Sequence, residues 1–462
     1  MKKILPLIFF AILFCSCANQ LPPSGGDDDR IPPKIISITP KANSVNYKGN
    51  SVKFIFDEYV DRRSFEEAFF VSPKPRGDID FNWSGKEVEV EFSEPLDKNK
   101  TYVVIVGKDL KDVRGSNPVA APVTFAFSTG PVLDQGKLLG RVFSDNIERI
   151  KVLAFITDGM SEEKLDPAKY PADYLIQLSS DGTYALTNLP KGKYRVFALQ
   201  DEDRNNLFDK EVDKISVSYK DLEIISDSGK ASTVNFLLKD FDGTVTGRDF
   251  IKDLKADSAN YVFSNVANNE KNIPPDYRLY FYFSNDNLSK ADIVNNFLLT
   301  DSTTKNVYRP VFNWINDSLL EVFFIEKLPF NSYLNLKIDL TSTSRKYLYE
   351  VSFKTAAQNS FGRISGKIIP VEKITSPVFL KLYNINNKFI SYSKKLIDSL
   401  NFSFDEVPEG DYTMFAFTDL NDDGRYERGN PYPYRQSEPF QVFDTDIKLK
   451  GSWTVDNIFI EF

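Results

Sequence analysis

Short stretches of alternating or continuous apolar residues recur along the chain and predict an all-β protein. Lys86 to Phe92 alternates polar and apolar side chains, the period of a strand with one buried face. Tyr102 to Val106 is apolar throughout, as in a strand buried on both faces. Helical turns are expected only near Ser64–Phe69 and Ala291–Phe297. The aperiodic stretch from Asp158 to Tyr174 is expected to be a polar insertion between strands.

The strand pattern occurs twice, which predicts a duplication. The motif Phe-Asn-Trp at 81–83, followed by a strand-like run at 87–92, recurs at 312–314 before the run at 319–324. Short strands at this spacing are typical of β-sandwiches, and the 39 Phe and 22 Tyr suit half-buried pleated surfaces.

A second type of module follows each copy of the first. Asn-Leu-Pro-Lys-Gly-Lys-Tyr at 188–194 matches Glu-Val-Pro-Glu-Gly-Asp-Tyr at 406–412, and an acidic loop follows both. The predicted order is therefore A-B-A-B, with a second half that has diverged from the first.

Three stretches carry a resemblance to a known family. They are Phe-Ile-Phe-Asp-Glu-Tyr-Val at 54–60, Asp-Leu-Lys-Asp at 109–112 with Gly115 and Asn117, and Phe-Ser-Thr-Gly at 127–130. With them, residues 33–130 resemble the bacterial Ig-like domain of S-layer-type proteins. The second copy keeps the strands and lacks both the Phe-Asp-Glu turn and the Gly-Asn loop.

The B modules, residues 136–238 and 362–462, resemble transthyretin-like or carboxypeptidase-regulatory sandwiches through their Leu/Val-Pro-x-Gly-x-Tyr motif. The resemblances imply tandem Ig-like and transthyretin-like β-sandwiches in an A-B-A-B duplication. The expected boundaries are a signal peptide at 1–16, a lipidated cysteine and linker at 17–33, Ig-like sandwiches at 34–131 and 241–357, and transthyretin-like sandwiches at 132–240 and 358–462.

The amino terminus resembles a bacterial lipoprotein signal peptide. Lys2 and Lys3 precede an apolar run too short to span a bilayer, and Ser16 provides the small residue before Cys17. The resemblance implies that Cys17 becomes the acylated first residue, carrying palmitate-type lipid. The alternative is an ordinary secretory signal with an incidental cysteine. Together with the domains, this start looks like that of Ig-like-domain outer-membrane lipoproteins of Bacteroidota.

Composition limits the possible functions. The chain contains no histidine, which excludes Ser-His-Asp and Cys-His catalysis and His-ligated metal sites. Its net charge of −8 becomes −10 when the two lysines of residues 1–16 are removed. An acidic chain without a basic run is a poor candidate for binding nucleic acid. We therefore expect a non-enzymatic protein.

The acidic loop of the second B module has the oxygen spacing of a calcium-binding loop. Its candidate ligands are Asp419, Asn421, Asp423, Arg425 through its carbonyl, and Glu427, with Gly424 at the turn position. Position 12, usually a bidentate Glu, is Asn430. The alternative is a solvated hairpin with Asx-turns and a positive φ at Gly424.

The corresponding loop of the first B module repeats this spacing through Asp201, Asp203, Asn205 and Asp209. Asn206 takes the glycine position, where its tolerance of the left-handed region preserves the turn. Arg204 lies among the proposed ligands and would neutralise part of the charge. Calcium is a possible cofactor at both loops, and inherited turn chemistry is the alternative.

Tyrosines near the second loop could form a surface for sugar rings or a partner peptide. Tyr426, Tyr432 and Tyr434 are the candidates, and covering the protein's own sandwich is the alternative.

These features predict a lipid-anchored outer-membrane protein, at the cell surface rather than on the periplasmic face. We expect a scaffold, an adhesin, or an accessory subunit of an envelope assembly or secretion complex, with envelope protein partners that include a β-barrel complex as one possibility. The alternative is a carbohydrate-binding lipoprotein of a glycan-uptake system.

Overall fold

The chain is an all-β protein of tandem β-sandwiches with a few short helices. The computed structural model describes residues 28–225, 231–241, 245–251, 262–284, 289–340, 347–371, 373–397 and 399–462. These residues form two compact units. The first comprises 28–142, 146–214 and 222–235, and the second comprises 143–145, 215–221 and 236–462, each without the undescribed residues.

The first unit contains two helices and fourteen strands, which are most of the described elements before residue 236. They are β1 (Ile35–Thr39), β2 (Ser51–Phe56), α1 (Arg62–Ala68), β3 (Phe69–Ser72), β4 (Ile79–Ser84), β5 (Glu87–Phe92), β6 (Thr101–Val106), β7 (Val123–Ser128), β8 (Gly136–Phe143), β9 (Ile150–Ile156), a 3₁₀ helix (Glu162–Leu165), β10 (Tyr174–Gln177), β11 (Thr183–Leu189), β12 (Gly192–Gln200), β14 (Leu222–Ile224) and β15 (Ala231–Thr233).

The second unit contains most of β13 and the described elements from β16 onward. They are β13 (Lys214–Val217), β16 (Phe236–Leu237), α2 (Arg248–Ile251), β17 (Val262–Ser264), β18 (Glu270–Ile273), β19 (Leu279–Phe283), α3 (Lys290–Asn295), β20 (Phe297–Asp301), β21 (Val307–Tyr308), β22 (Val311–Trp314), β23 (Leu319–Phe323), β24 (Tyr333–Leu340), β25 (Tyr347–Thr355), a 3₁₀ helix (Gln358–Ser360), β26 (Phe361–Ile369), β27 (Val378–Asn384), β28 (Ser391–Leu396), β29 (Asn401–Pro408), β30 (Gly410–Thr418), β31 (Phe440–Leu449) and β32 (Thr454–Glu461).

The first sandwich packs the sheet β1–β2–β5–β4 against β3–β6–β7. Strand β5 alternates buried and more exposed residues, and β6 is buried along its whole length, so both predicted patterns are confirmed. Phe54 lies at the centre of the core, with the rings of Phe65 and Phe125 at 5.3 and 5.9 Å. Aromatic side chains from both sheets and from α1 thus fill one core.

The second sandwich of the first unit includes the strands β10–β9–β12, with β14 also paired to β12, and the sheet β11–β8–β15. Strand β15 runs parallel to β8. The Pro-x-Gly-x-Tyr motif has a structural role, because Tyr194 Oη donates a hydrogen bond of 2.7 Å to the carbonyl of Pro190.

The second unit repeats these strand orders. Its sheets are β17–β19–β23–β22 and β18–β25–β24–β20–β21, followed by β28–β27–β30–β31 and β29–β26–β32, in which β32 runs parallel to β26. Tyr412 Oη bonds the carbonyl of Pro408, again at 2.7 Å. Since strand orders and the tyrosine contact both recur, the predicted duplication is confirmed.

The helical turns lie close to their predicted positions in the two copies. Helix α1 begins two residues earlier than expected because the side chain of Asp61 caps it, accepting a bond of 2.7 Å from the Ser64 amide. Ser289 caps α3 in the same way. The polar insertion after β9 holds a single 3₁₀ turn.

Candidate functional site

The second acidic loop is organised by its first carboxylate. Asp419 is buried, and its two oxygens accept hydrogen bonds from the amides of Asp423 (3.2 Å) and Gly424 (2.9 Å). Gly424 has φ +72°, the positive value that the hairpin alternative predicted. The loop is therefore closed by hydrogen bonds from two of its backbone amides to the Asp419 side chain.

The other proposed ligands of this loop form hydrogen bonds or ion pairs with residues in or beside the loop. Asn421 Nδ2 donates to Asp423 Oδ2 (3.1 Å), and the Arg425 amide donates to Asp423 Oδ1 (2.7 Å). Glu427 pairs with Arg435 at 3.0 Å. Asn421 Oδ1 also accepts the Asp423 amide (3.2 Å). Three side-chain oxygens of these ligands thus already bond within the loop, and the carboxylate of Glu427 is engaged by a guanidinium.

The sequence did not point to Glu438, which completes the loop from the following segment. Its carboxylate is buried and accepts the amides of Leu420 (2.7 Å) and Glu427 (3.0 Å). Burial raises the pKa of Glu438, and the neighbouring carboxylates of Asp419 and Asp423 raise it further.

The first acidic loop has the same construction. Buried Asp201 accepts the amides of Asn205 and Asn206, both at 3.1 Å, and Asn206 takes a positive φ of 63° as predicted. Asp213 occupies the place of Glu438, accepting the amides of Glu202 (2.8 Å) and Asp209 (2.9 Å). The two loops therefore share a bridging carboxylate that lies outside the nine-residue motif.

One proposed ligand of the first loop, Asp209, does not lie in the carboxylate group of that loop. The carboxylates of Asp201, Asp203 and Asp213 approach within 4.8 Å of one another. Asp209 is not part of this group, because its side chain accepts the amide of Glu211 (2.9 Å). Asp213 thus contributes the third carboxylate, where the motif had predicted Asp209.

A lysine distinguishes the two loops. Lys151 Nζ lies 2.7 Å from Asp201 Oδ2 and 2.6 Å from Asn206 Oδ1, and both charged side chains are buried. Lys151 pairs with Leu199 in the sheet, and the same register in the second copy pairs Phe379 with Phe417. The second loop thus has a phenylalanine where the first has a buried ammonium group.

The tyrosine surface is only partly exposed. Tyr426 is buried at 6 % exposure, with its ring 5.5 Å from that of Phe415, so its assignment to a ligand surface is corrected. It belongs to a cluster in which aromatic packing removes it from solvent. Tyr434 is half-buried and donates to Asp221 Oδ1 (3.2 Å), whereas Tyr432 is 39 % exposed.

A third acidic group lies at the start of the first sandwich. Carboxylate oxygens of Asp29, Glu58 and Asp112 lie within 4.8 Å of one another. Burial and then the charges of Asp112 and Asp29 raise the pKa of Glu58. Asp112 is bonded by the amide of Gly115 (2.6 Å) and by Asn117 Nδ2 (2.7 Å), which explains the Asp, Gly and Asn of the family motif.

Cys17 lies outside the residues that the structure describes, as does the rest of the predicted signal sequence. Among the described residues, no helix has the length and apolar character needed to cross a bilayer.

Comparison with known families agrees with the architecture of the first sandwich. Residues 29–129 match the model of the bacterial Ig-like domain, which confirms the resemblance drawn from the motifs at 54–60, 109–117 and 127–130. A search of the curated proteins found no match.

Solved structures similar to the chain include three bacterial proteins. An L,D-transpeptidase from Mycobacterium smegmatis is 18% identical over 36% of this chain and 76% of its own, with a TM-score of 0.17. The major pilin subunit BcpA of Bacillus cereus is 10% identical over 71% of this chain and 99% of its own, also at 0.17. The N-terminal part of the S-layer protein SbsC is 14% identical over 36% of this chain and 40% of its own, with a TM-score of 0.17. Scores at this level carry no argument about activity.

Proposed function

We propose that the chain is a non-catalytic lipoprotein, anchored through Cys17 in the outer membrane and facing the cell surface. Its sandwiches act as a scaffold, as an adhesin or as an accessory subunit of an envelope complex. The duplicated sandwich architecture, with its bacterial Ig-like domain, carries the proposal, because such modules present surfaces on a stable frame. The lipoprotein-type start at residues 1–17 supports the anchor.

The proposed partner is an envelope protein, with a β-barrel complex as one possibility. The absence of histidine and the structural engagement of the loop carboxylates support a role without turnover. The glycan-uptake alternative rests on the tyrosines beside the second loop. The burial of Tyr426 leaves that surface smaller than the sequence predicted.

The anchor is tested by metabolic labelling with an alkyne fatty acid in cells that express the full chain. Wild type and Cys15→Ala should take up the label and fractionate with the outer membrane. Cys17→Ala should lose the label and become soluble. Retention of the label in Cys17→Ala would show that the anchor has been assigned to the wrong residue.

The surface location and the partner are tested together in intact cells. Protease added outside should cleave the wild-type chain, and crosslinking followed by purification should recover an envelope protein in a reproducible ratio. A protected chain would place the protein on the periplasmic face. Recovery of the uncrosslinked chain alone would contradict the scaffold and subunit roles.

A further inference from the structure

A cleft of 350 Å³ lies in the second unit, where the sandwich containing β19 and β23 meets the one containing β28. This volume is within the range of small-molecule sites, about 300–1,000 Å³. The sandwich containing β19 and β23 contributes Asp276, Arg278 and Phe323, and the one containing β28 contributes Phe389, Ser391 and Tyr392. Asn387 Nδ2 donates to Tyr277 Oη at 3.4 Å and connects the two walls.

Half-buried aromatic rings form much of the cleft lining. Phe389 lies 5.8 Å from the ring of Tyr280, tilted by 34°. The Arg278 guanidinium lies 4.9 Å from the centroid of Phe323, which fixes the position of that ring. Rings in this setting offer apolar area to a ligand at low entropic cost, because few of their torsions remain to be ordered.

The charges around the cleft are compensated within the protein. Arg278 pairs with Glu321 at 2.6 Å, and Lys388 pairs with Asp249. The Asp276 carboxylate has the ammonium group of Lys327 at 3.9 Å. Lys327 pairs more closely with Glu406, at 2.5 Å. An anionic ligand would therefore find no uncommitted cation among the groups lining the cleft, whereas a neutral ligand would leave every pair intact.

Polar groups with hydrogen-bonding capacity lie beside the rings. The Asp276 side chain is one-third exposed, and burial raises its pKa while Lys327 opposes that shift. Ser391 adds an exposed hydroxyl at the start of β28. The combination of apolar rings, a carboxylate acceptor and hydroxyls matches a ligand that carries hydroxyls on a ring with an apolar face.

We propose that this cleft binds a neutral carbohydrate of one or two sugar units. The apolar face of a sugar ring packs on Phe389, and its hydroxyls bond to Asp276 and Ser391. This inference goes beyond the scaffold role and does not depend on the anchor at Cys17 or on the identity of the envelope partner.

The test uses the detergent-solubilised full chain on an array of neutral and charged glycans, with titration calorimetry of the best neutral mono- or disaccharide. Phe389→Ala and Asp276→Asn should each weaken binding by about tenfold or more, through lost ring contact and a lost charged acceptor. Trp453→Ala removes an aromatic side chain that is 57 % exposed outside the cleft, and it should bind as wild type does.

Melting temperatures of all three variants separate binding from folding. If Phe389→Ala melts early because its contact with Tyr280 is lost, Asp276→Asn decides the question alone. A preference for uronic acids or amino sugars would overturn the neutral class. No binding to any neutral glycan, or equal binding by Asp276→Asn and wild type, would overturn the proposal.

Discussion

At the scale of single residues, the first acidic loop depends on Lys151. This side chain is buried with Asp201, and it also lies 5.4 Å from the ring centroid of Phe70. A buried ion pair contributes little net stability relative to apolar residues, but removing one partner leaves a costly uncompensated charge.

Lys151→Met should therefore lower the free energy of unfolding by about 3–5 kcal/mol, because Asp201 is left buried without its counter-ion. Urea unfolding followed by circular dichroism measures the change. The matched control is Lys395→Met, whose partner Asp422 is 63 % exposed, and its cost should stay within about 1 kcal/mol. Equal losses in both variants would show that Lys151 and Asp201 are not coupled as described.

Asp301 illustrates a carboxylate that stabilises a turn. It is buried at the end of β20 and accepts the amides of Thr303 (2.7 Å) and Thr304 (2.8 Å). These bonds, that of Thr304 first, lower the pKa of Asp301 below its usual 3.8. Because the folded pKa is lowered, the stabilisation is complete above the usual value and is lost as the pH falls through the lowered one.

Asp301→Ala should cost about 1–3 kcal/mol at pH 7, since the amides of Thr303 and Thr304 lose a charged acceptor. The variant and wild type should differ less in their free energy of unfolding as the pH falls below 3.8, because the part of the difference that depends on the carboxylate charge is lost. Urea midpoints measured from pH 7 to pH 2.5 follow this change. A difference that is as large at pH 2.5 as at pH 7 would exclude a contribution from the ionised carboxylate.

At the scale of elements, the two acidic loops share a frame and differ in their source of positive charge. Lys151 compensates the first loop, whereas no ammonium or guanidinium group pairs with Asp419 or Glu438 among the described residues. Both of those carboxylates are buried. Calcium remains a prediction at both loops. Of the two loops, it is the first that brings three carboxylates within 4.8 Å of one another, and Lys151 already neutralises them there, whereas the buried carboxylates of the second loop have no opposing cation among the described residues.

Calcium at about 10 mM should stabilise the wild-type chain by about 1–3 kcal/mol, as expected for a site with a dissociation constant near 10⁻⁴–10⁻³ M. Differential scanning calorimetry with calcium or with EDTA measures the shift. Asp423→Asn should reduce the shift, and Asp203→Asn in the first loop should leave it unchanged. A melting temperature that does not respond to calcium or EDTA would rule out the site.

Sequence patterns predicted these elements well where the information was local. The alternation in β5, the buried run in β6 and the helical turns near 64 and 291 all depend on residues within one turn or strand. The acidic loops were recognised from spacing for the same reason. Their closing carboxylates, Asp213 and Glu438, were missed because they follow the first acid by 12 and 19 residues, outside any short motif.

At the scale of the whole molecule, duplication explains why a diverged second half keeps its architecture. The sheets containing β4 and β22 have corresponding strand orders, and Trp83 and Trp314 each pack beside a core from an edge strand. Side chains at such positions can change while the pleat and the register persist, because burial of alternate residues fixes the register.

The sequence by itself determined the all-β class, the A-B-A-B order and the turn chemistry of both loops, since each is encoded by periodicity or by residues close in the chain. Only the tertiary structure decided that Lys151 neutralises one loop, that Tyr426 is buried and that a polar, aromatic cleft lies beside Phe389. These features depend on contacts between distant residues. No local pattern records which side chains the packing of sheets brings together.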